Sequence, residues 1–230
     1  IVEGIKPLSS DVLDFDEVMA NYKKVLHEVA RVYNETMNII HYMHDKYDYE
    51  KSQMAFIDTL IAEGKVDGSR LFCAGASSGG GCTMRFMMQF PDRFKAAIPC
   101  CAMDPIVPIH KAQEKYDGQF TDDIVTAFQD KVYKWNGTDM ELADIDTKAF
   151  CELPMYFVHA DSDTTCKVIS SHAYYNARKR LGATSDLIQI YDDAYMQKFG
   201  IPVMISHFSW VPLLNDYSEG TAMDWLVKQM

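Results

Sequence analysis

The sequence predicts an α/β fold in which a mostly parallel sheet is flanked by helices. Four short apolar runs have the length of strands, segments with helical spacing lie between them, and a tight glycine-rich turn follows the first run. Strands that alternate with helices are typical of βαβ units, whose strands are parallel. The continuous apolar character of the runs indicates that the sheet is buried on both faces.

The chain before the first strand is predicted to be helical. Apolar residues recur at helical spacing from Phe15 to Tyr33, and further helices are expected over 36–44 and 52–62, the last ending at Gly64. Residues 1–64 therefore form a helical N-terminal segment, in which IVEGI is at best one short strand.

The predicted strands and the helices between them follow in order along the rest of a single domain, 1–230. The strands are RLFCAGA at 70–76, KAAIPCCA at 95–102, PMYFVHA at 154–160 and SDLIQIY at 185–191. Helices are expected over 79–90, where Pro91 stops the helix, and over 120–134, 166–181 and 218–229. Residues 105–152 are longer than a crossover needs, and we expect them to form an insertion that caps the strand ends.

Composition limits the possible partners. The formal charge of −11 argues against nucleic acid and anionic membranes, because both attract basic patches. No stretch is long and apolar enough to span a bilayer, so a soluble globular protein is expected. No secretory signal is visible, and cytoplasmic and secreted locations both stay open. The six cysteines lack the spacing of a disulfide framework or metal site, which favours free, buried thiols.

The turn GASSG, between a predicted strand and a predicted helix, has the pattern of a nucleophile elbow. In this turn the serine adopts strained backbone angles, and glycines two positions away on either side allow strand and helix to approach closely. Ser77 has Gly75 and Gly79 at those positions, whereas Ser78 has Ala76 and Gly80, so Ser77 is preferred and Ser78 is the alternative. The Gly-Lys-Ser/Thr of a Walker loop and the G-x-G-x-x-G spacing of a dinucleotide-binding loop are absent from the sequence.

A serine nucleophile needs a base and an acid that orients the base, in the chain order Ser, Asp or Glu, His. Asp161 and Asp163 follow the strand PMYFVHA, and both are candidates for the acid. His207, in a loop after the last strand, is the candidate base.

These segments resemble the α/β-hydrolase superfamily from about Val66 onward. VDGSRLFCAGASSGG and FPDRFKAAIPCCA are similar to the elbow region of esterases related to polyhydroxybutyrate depolymerases, feruloyl esterases and predicted peptidases. VHADSD resembles a His-Gly-x-x-Asp stretch in which Ala160 replaces the glycine, and SHFSWVPLLND resembles a His-x-x-Trp segment. The resemblance implies that Asp163 is the acid, His207 the base and His159 a structural residue.

The resemblance also implies a function. It predicts that Ser77, His207 and Asp163 hydrolyse a carboxylic ester through an acyl-enzyme, with the Ser78 amide binding the oxyanion and without metal or organic cofactor. The substrate would be a small-molecule or carbohydrate ester, such as an acylated sugar, a feruloyl ester or a short acyl ester. A peptidase of the same fold and a non-catalytic binding module are the alternatives.

Several strands normally precede the elbow in this fold, and one of their loops supplies the second oxyanion donor. No such strands are predicted here. Either the early sheet belongs to a missing N-terminal portion or another chain, or the N-terminal helices replace it. We favour the first explanation, because half of a parallel sheet would expose a long apolar edge.

Overall fold

The computed structural model describes residues 49–103, 117–135, 138–141 and 146–230. The chain divides into two units between Ala55 and Phe56. Of the first unit, only the start of helix α1 (Tyr49–Ala62) is described, and the predicted helices over 15–33 and 36–44 lie outside the described residues. The second unit contains the sheet and every candidate site residue.

The main sheet has four parallel strands, as the sequence predicted. The strands are β1 (Phe72–Ala76), β2 (Ala96–Cys100), β5 (Tyr156–Ala160) and β6 (Leu187–Tyr191), in the spatial order β1-β2-β5-β6. Ala76 pairs with Cys100, and Ala160 pairs with Tyr191. The carboxyl ends of these strands therefore lie at one edge of the sheet, where the loops that follow them can meet.

Helices flank this sheet, and several begin or end close to the predicted positions. They are α1, α2 (Ser78–Gln89), α3 (Asp117–Asp130), α4 (Thr147–Glu152), α5 (Ile169–Arg180), α6 (Asp193–Lys198), α7 (Trp210–Asn215) and α8 (Ala222–Lys228). The short helices α4, α6 and α7 were not predicted. Turns of 3₁₀ helix cover Pro91–Arg93 and Val203–Ile205.

The insertion contains a second, small sheet that the sequence analysis missed. The helix predicted over 120–134 ends at Asp130, because Lys131 adopts a left-handed φ of 55°. An antiparallel hairpin of β3 (Val132–Trp135) and β4 (Thr138–Glu141) follows. Helix α3 packs against α5, with Phe120 edge-on to Tyr174. Whether the insertion also caps the strand ends stays a prediction.

The core on one sheet face joins the strands to the C-terminal helices. Ile98 and Val158 are fully buried in one apolar cluster with Ala222 and Leu226 of α8. The Trp225 ring stands edge-on to Tyr156 at a centroid distance of 5.4 Å. Burial of these side chains fixes the last helix, and with it the end of the loop that precedes it.

A buried ion pair joins helix α5 to the segments before β5 and β6. The Arg178 guanidinium, fully buried, donates to both carboxylate oxygens of Asp186 at 2.6 and 2.9 Å. It also donates to the carbonyls of Phe150 and Leu153. The charge is thus paired and four of its five N–H donors are used, which is the condition under which a buried charge is tolerated.

All six cysteines are free. Cys100, Cys101 and Cys151 are buried, whereas Cys73, Cys82 and Cys166 are partly exposed, so the expectation of buried thiols is met at only three positions. Within the described ranges, no helix has both the length and the apolar character needed to cross a bilayer.

Candidate active site

Ser77 occupies the sharp turn between β1 and α2. Its φ of 59° and ψ of −122° are strained for a residue other than glycine. Three backbone hydrogen bonds hold the turn: Ser77 N donates to Cys100 O, and Ser77 O accepts from Gly81 N and Met103 N, all at 3.0–3.1 Å. Ser78 is already the first residue of α2. The elbow geometry therefore belongs to Ser77 and not to its neighbour.

Glycines around Ser77 allow strand β1 and helix α2 to approach closely. Only one of the two glycines expected from the motif, Gly75, is needed for this contact. A Cβ on Gly75 would lie 2.2 Å from Gly79 O, so this glycine is required. A Cβ on Gly79 would meet nothing within 4 Å. The second requirement lies instead at Gly80, whose Cβ would be 2.7 Å from Cys100 O, and at Gly81, whose Cβ would be 2.7 Å from Met103 O. The helix is thus pressed against the segment that follows β2.

Asp163 lies in the turn after β5, and its carboxylate is fully engaged. Its Oδ1 accepts from the backbone N–H groups of Thr165 at 2.8 Å and Cys166 at 3.0 Å. Its Oδ2 lies 2.7 Å from His207 Nδ1. Asp161 differs: its backbone N–H extends the sheet by bonding Tyr191 O, and the residue is exposed. Of the two candidate acids, the structure brings Asp163 to His207.

His159 supports Asp163 from the side of the sheet. The ring is fully buried, as expected of a structural histidine. Its Nε2 lies 2.8 Å from Cys166 O and 3.2 Å from Asp163 Oδ2, while Nδ1 lies 2.8 Å from Ser171 Oγ. With the proton on Nε2, the ring donates to the Asp163 loop and accepts from Ser171. Both imidazoles therefore converge on one carboxylate oxygen.

His207 lies between the Val203–Ile205 turn and α7, and its side chain is 14% exposed. The ring stands edge-on to Trp210 at 5.5 Å, so this tryptophan packs beside the histidine loop. One imidazole nitrogen thus faces the buried acid while the ring retains contact with solvent.

The charges of this pair stabilise each other. Burial alone would raise the pKa of Asp163, but hydrogen bonds from His159 and His207 outweigh it and hold the pKa well below its ordinary value. The hydrogen bond to Asp163 raises the pKa of His207, and burial opposes this only in part. The arrangement favours an imidazolium beside a carboxylate, which is the state a general base reaches after it takes a proton.

Two cysteines that the sequence analysis did not select border the same site. Burial raises the pKa of the Cys166 thiol to about 12, and the Ser77 side chain offsets this only in part. Cys101 follows β2 with a φ of 37°, beside Ser77 on the neighbouring strand. Its Sγ and ligand atoms of Asp163 and His207 all lie within 4.8 Å of one another. These three residues could hold a metal ion.

A hydrogen bond from Cys100 lowers the pKa of the Cys101 thiol, with further hydrogen bonding from Ser209 and the charge of His207 acting in the same direction. Cys101 directly follows the strand next to the elbow strand. This position is the sequence signal that could have identified it.

The Ser78 amide, at the first turn of α2, is among the N–H groups that have no partner four residues earlier in a helix. Its role as the oxyanion donor stays a prediction. In residues 49–71 no strand precedes β1, so the loop expected to supply a second donor has no counterpart in this part of the chain.

Comparison with known proteins gives two separate likenesses. A family model described as pyruvate formate lyase-like matches residues 1–79, about a third of the chain. The crystal structure of a thermostable esterase matches with 21% identity and a TM-score of 0.52, over 77% of this chain and 35% of the esterase. The chain thus spans about a third of the length of that relative.

Two further structures match less well. SOBER1 from Arabidopsis thaliana is 16% identical, with a TM-score of 0.45 over 78% of this chain and 62% of that one. Acylaminoacyl peptidase from Pyrococcus horikoshii is 20% identical, with a TM-score of 0.40 over 75% of this chain and 28% of that one.

The likeness to the thermostable esterase, together with the parallel sheet and the elbow, identifies the fold of the second unit. The sheet and its flanking helices form an α/β-hydrolase fold whose early strands are absent from the described residues.

Proposed function

We propose that this protein is a serine hydrolase that cleaves carboxylic esters with Ser77 as nucleophile, His207 as base and Asp163 as orienting acid. The observation that carries the proposal is the 2.7 Å contact between His207 Nδ1 and Asp163 Oδ2, at the sheet edge where Ser77 holds its strained φ of 59°. A buried acid, a partly exposed imidazole and an elbow serine at one edge are the parts that acyl transfer needs.

In the proposed mechanism, His207 Nε2 accepts the proton of Ser77 Oγ as Oγ attacks the acyl carbon. The carbonyl oxygen becomes an oxyanion and accepts a hydrogen bond from the Ser78 N–H. His207 then gives the proton to the departing alcohol. Water repeats the sequence on the acyl-enzyme and releases the acid and free Ser77.

Helix α2 already fixes the position of the Ser78 N–H, so this donor does not have to move when the oxyanion forms. Asp163, itself fixed by two backbone N–H groups, keeps the imidazole proton on Nδ1. Small acylated sugars, feruloyl esters and short acyl esters are the substrate classes that we propose.

Turnover of p-nitrophenyl acetate tests the proposal. We expect Ser77→Ala to lower kcat/KM by about 10³-fold or more, because it removes the nucleophile. Ser78→Ala keeps its backbone N–H and is expected to retain most of the activity. Circular dichroism and the thermal midpoint verify that each variant is folded. Comparison of an ester with the matching p-nitroanilide separates an esterase from a peptidase.

A non-catalytic module is the second candidate, and the lack of a strand before β1 in residues 49–71 favours it. In that case the wild-type protein would be folded but inert toward esters and anilides. Equal turnover by wild type and Ser77→Ala would likewise contradict the proposed nucleophile.

A further inference from the structure

We propose that Cys101, Asp163 and His207 bind one thiophilic divalent cation of the Zn²⁺ type. One atom from each side chain lies within 4.8 Å of the other two. Ligand atoms on a tetrahedral zinc are roughly 3.3–3.8 Å apart, given metal–ligand bonds of about 2.0–2.3 Å. The three groups come from loops after β2, after β5 and before α7, so the fold brings them together from distant parts of the sequence.

The donor set suits zinc chemically. Thiolate and imidazole are ligands that Zn²⁺ accepts and Mg²⁺ does not prefer, and the carboxylate is acceptable to both. A thiolate and a carboxylate together carry two negative charges, which neutralise the cation. This matters because Cys101 and Asp163 are buried at 0% and 2% exposure, where a net charge would be costly.

The surroundings of the three ligands are already ordered. Two backbone N–H groups and His159 fix the Asp163 carboxylate, and Ser209 Oγ lies 3.5 Å from the Sγ of Cys100, the residue before Cys101. Outer contacts of this kind orient metal ligands and contribute to affinity. The His207 side chain is 14% exposed, so solvent contacts this member of the trio.

Binding requires a small adjustment and a defined proton balance. The 2.7 Å between His207 Nδ1 and Asp163 Oδ2 must widen by several tenths of an ångström if both atoms ligate the ion. The Cys101 thiol, where still protonated, releases its proton to solvent. If His207 ligates through Nδ1, the single proton of its neutral ring moves to Nε2. If it ligates through Nε2, the proton stays on Nδ1.

In either arrangement, the nitrogen lone pair that would take the Ser77 proton is no longer available. The cation therefore acts as a reversible inhibitor of the hydrolase, a consequence that rests on the proposed function. The metal site itself does not rest on it.

Binding is tested without any enzyme assay, by titrating the purified full chain with Co²⁺ as a spectroscopic substitute for Zn²⁺. We expect a cysteinate-to-cobalt charge-transfer band in the near ultraviolet that Zn²⁺ abolishes. The Cys101→Ser variant should lose the band and bind Zn²⁺ at least about 100-fold more weakly in competition with a chromophoric chelator. Cys151→Ser removes another buried thiol outside the trio and should keep the band.

A folded wild-type protein without the band, or a band of equal strength in Cys101→Ser, would overturn the metal site. His207→Ala provides a second test, since it should weaken Zn²⁺ binding while leaving all cysteines in place.

Measurements of ester turnover distinguish the metal-site proposal from the hydrolase proposal. We expect Zn²⁺, and not Mg²⁺, to inhibit ester turnover by the wild type, and EDTA to restore it. Cys101→Ser, compared with its own metal-free rate, should need at least about 100-fold more Zn²⁺ for half-inhibition. A band without ester turnover would overturn the hydrolase proposal and leave the metal site standing. A band with turnover that Zn²⁺ does not change would overturn the inhibitory role.

Discussion

At the residue scale, Asp163 is the point on which the candidate site converges. Its Oδ1 serves two backbone N–H groups of its own turn, and its Oδ2 faces both His159 and His207. The carboxylate is buried, so each of these contacts is made in a medium where hydrogen bonds to charge are strong. Removing the carboxylate charge is expected to alter His207 more than any other group.

The pH dependence of kcat/KM tests this coupling. His207 must be neutral to act as a base, and Asp163 raises the pKa of His207, so activity should rise with pH through a value above about 6.5, the ordinary histidine value. Asp163→Asn removes the stabilisation of the imidazolium, so the acid limb should move to lower pH. The maximal rate should fall by about 10⁴-fold, because the imidazole loses its orientation.

Asp161→Asn is the matched control, since Asp161 is an exposed carboxylate in the same turn. Its acid limb should coincide with that of the wild type. If the acid limb of the pH profile shifts in Asp161→Asn and not in Asp163→Asn, the orienting acid is Asp161.

Sequence spacing could predict Ser77, Asp163 and His207 because each follows a strand or precedes the closing helix at a recognisable motif. It could not distinguish Asp163 from Asp161 without the family resemblance, since both lie in one turn. The sequence did not identify Cys101 and Cys166 as site residues, because their neighbours in the site come from distant parts of the chain. Cys101 meets its partners only when β2 lies beside β1 and β5.

At the element scale, the contact between α2 and the end of β2 positions the nucleophile. Gly80 and Gly81 face backbone atoms of Cys100, Ala102 and Met103 at distances that leave no room for a Cβ. Backbone cannot move aside as a flexible side chain can, so the helix and the strand end are held in one arrangement. The strained turn of Ser77 is stabilised by this packing.

Two glycine substitutions one residue apart test the packing. Gly80→Ala would place a Cβ 2.7 Å from Cys100 O, and we expect a loss of about 1–3 kcal/mol in the free energy of unfolding. Gly79→Ala meets open space, and alanine favours helix over glycine by up to about 1 kcal/mol, so it should be neutral or stabilising. Urea unfolding of both variants gives the comparison, and equal effects would refute the account of this contact.

The element-scale predictions were most accurate for the strands, whose apolar runs are long enough to identify and bounded by turns. The hairpin β3–β4 was missed because VYKW continues the helical pattern of α3, and only the left-handed φ at Lys131 ends it. The need for Gly79 was inferred from the motif, whereas the actual contacts fall on Gly75, Gly80 and Gly81. Motif spacing does not reveal which atoms meet in a tight turn.

At the scale of the whole molecule, the described part of the sheet is open on the β1 side. Within residues 49–103, 117–135, 138–141 and 146–230, β1 pairs with β2 alone, and Ala74 at its centre is exposed. A strand with this apolar sequence, FCAGA, is typical of the interior of a sheet. We propose that a strand from a longer form of this protein or from another chain completes the sheet.

A charge placed on this strand tests the proposal. Ala74→Lys should reduce self-association in light scattering over a range of concentrations, because lysine on an edge opposes strand pairing. Gln119→Lys adds the same charge at an exposed position of α3 and should associate as the wild type does. If all three proteins behave alike, β1 is not an association edge.

The overall fold could be predicted from the alternation of strands and helices. No strand lies in residues 49–71, and the predictions for residues 1–48 lie outside the described residues. What occupies the N-terminal third could not be deduced from periodicity. Helical spacing before Gly64 indicates helices but not their origin, and the pyruvate formate lyase-like match over residues 1–79 came from comparison alone.

The most direct measurement of the central claim is fluorophosphonate labelling followed by peptide mapping of the modified residue. The probe phosphonylates a serine rapidly when a neighbouring base removes the hydroxyl proton. The account predicts one label on Ser77, lost in Ser77→Ala and strongly slowed in His207→Ala. A folded protein that takes no label, or one labelled at Ser78 or elsewhere with Ser77 intact, would contradict it.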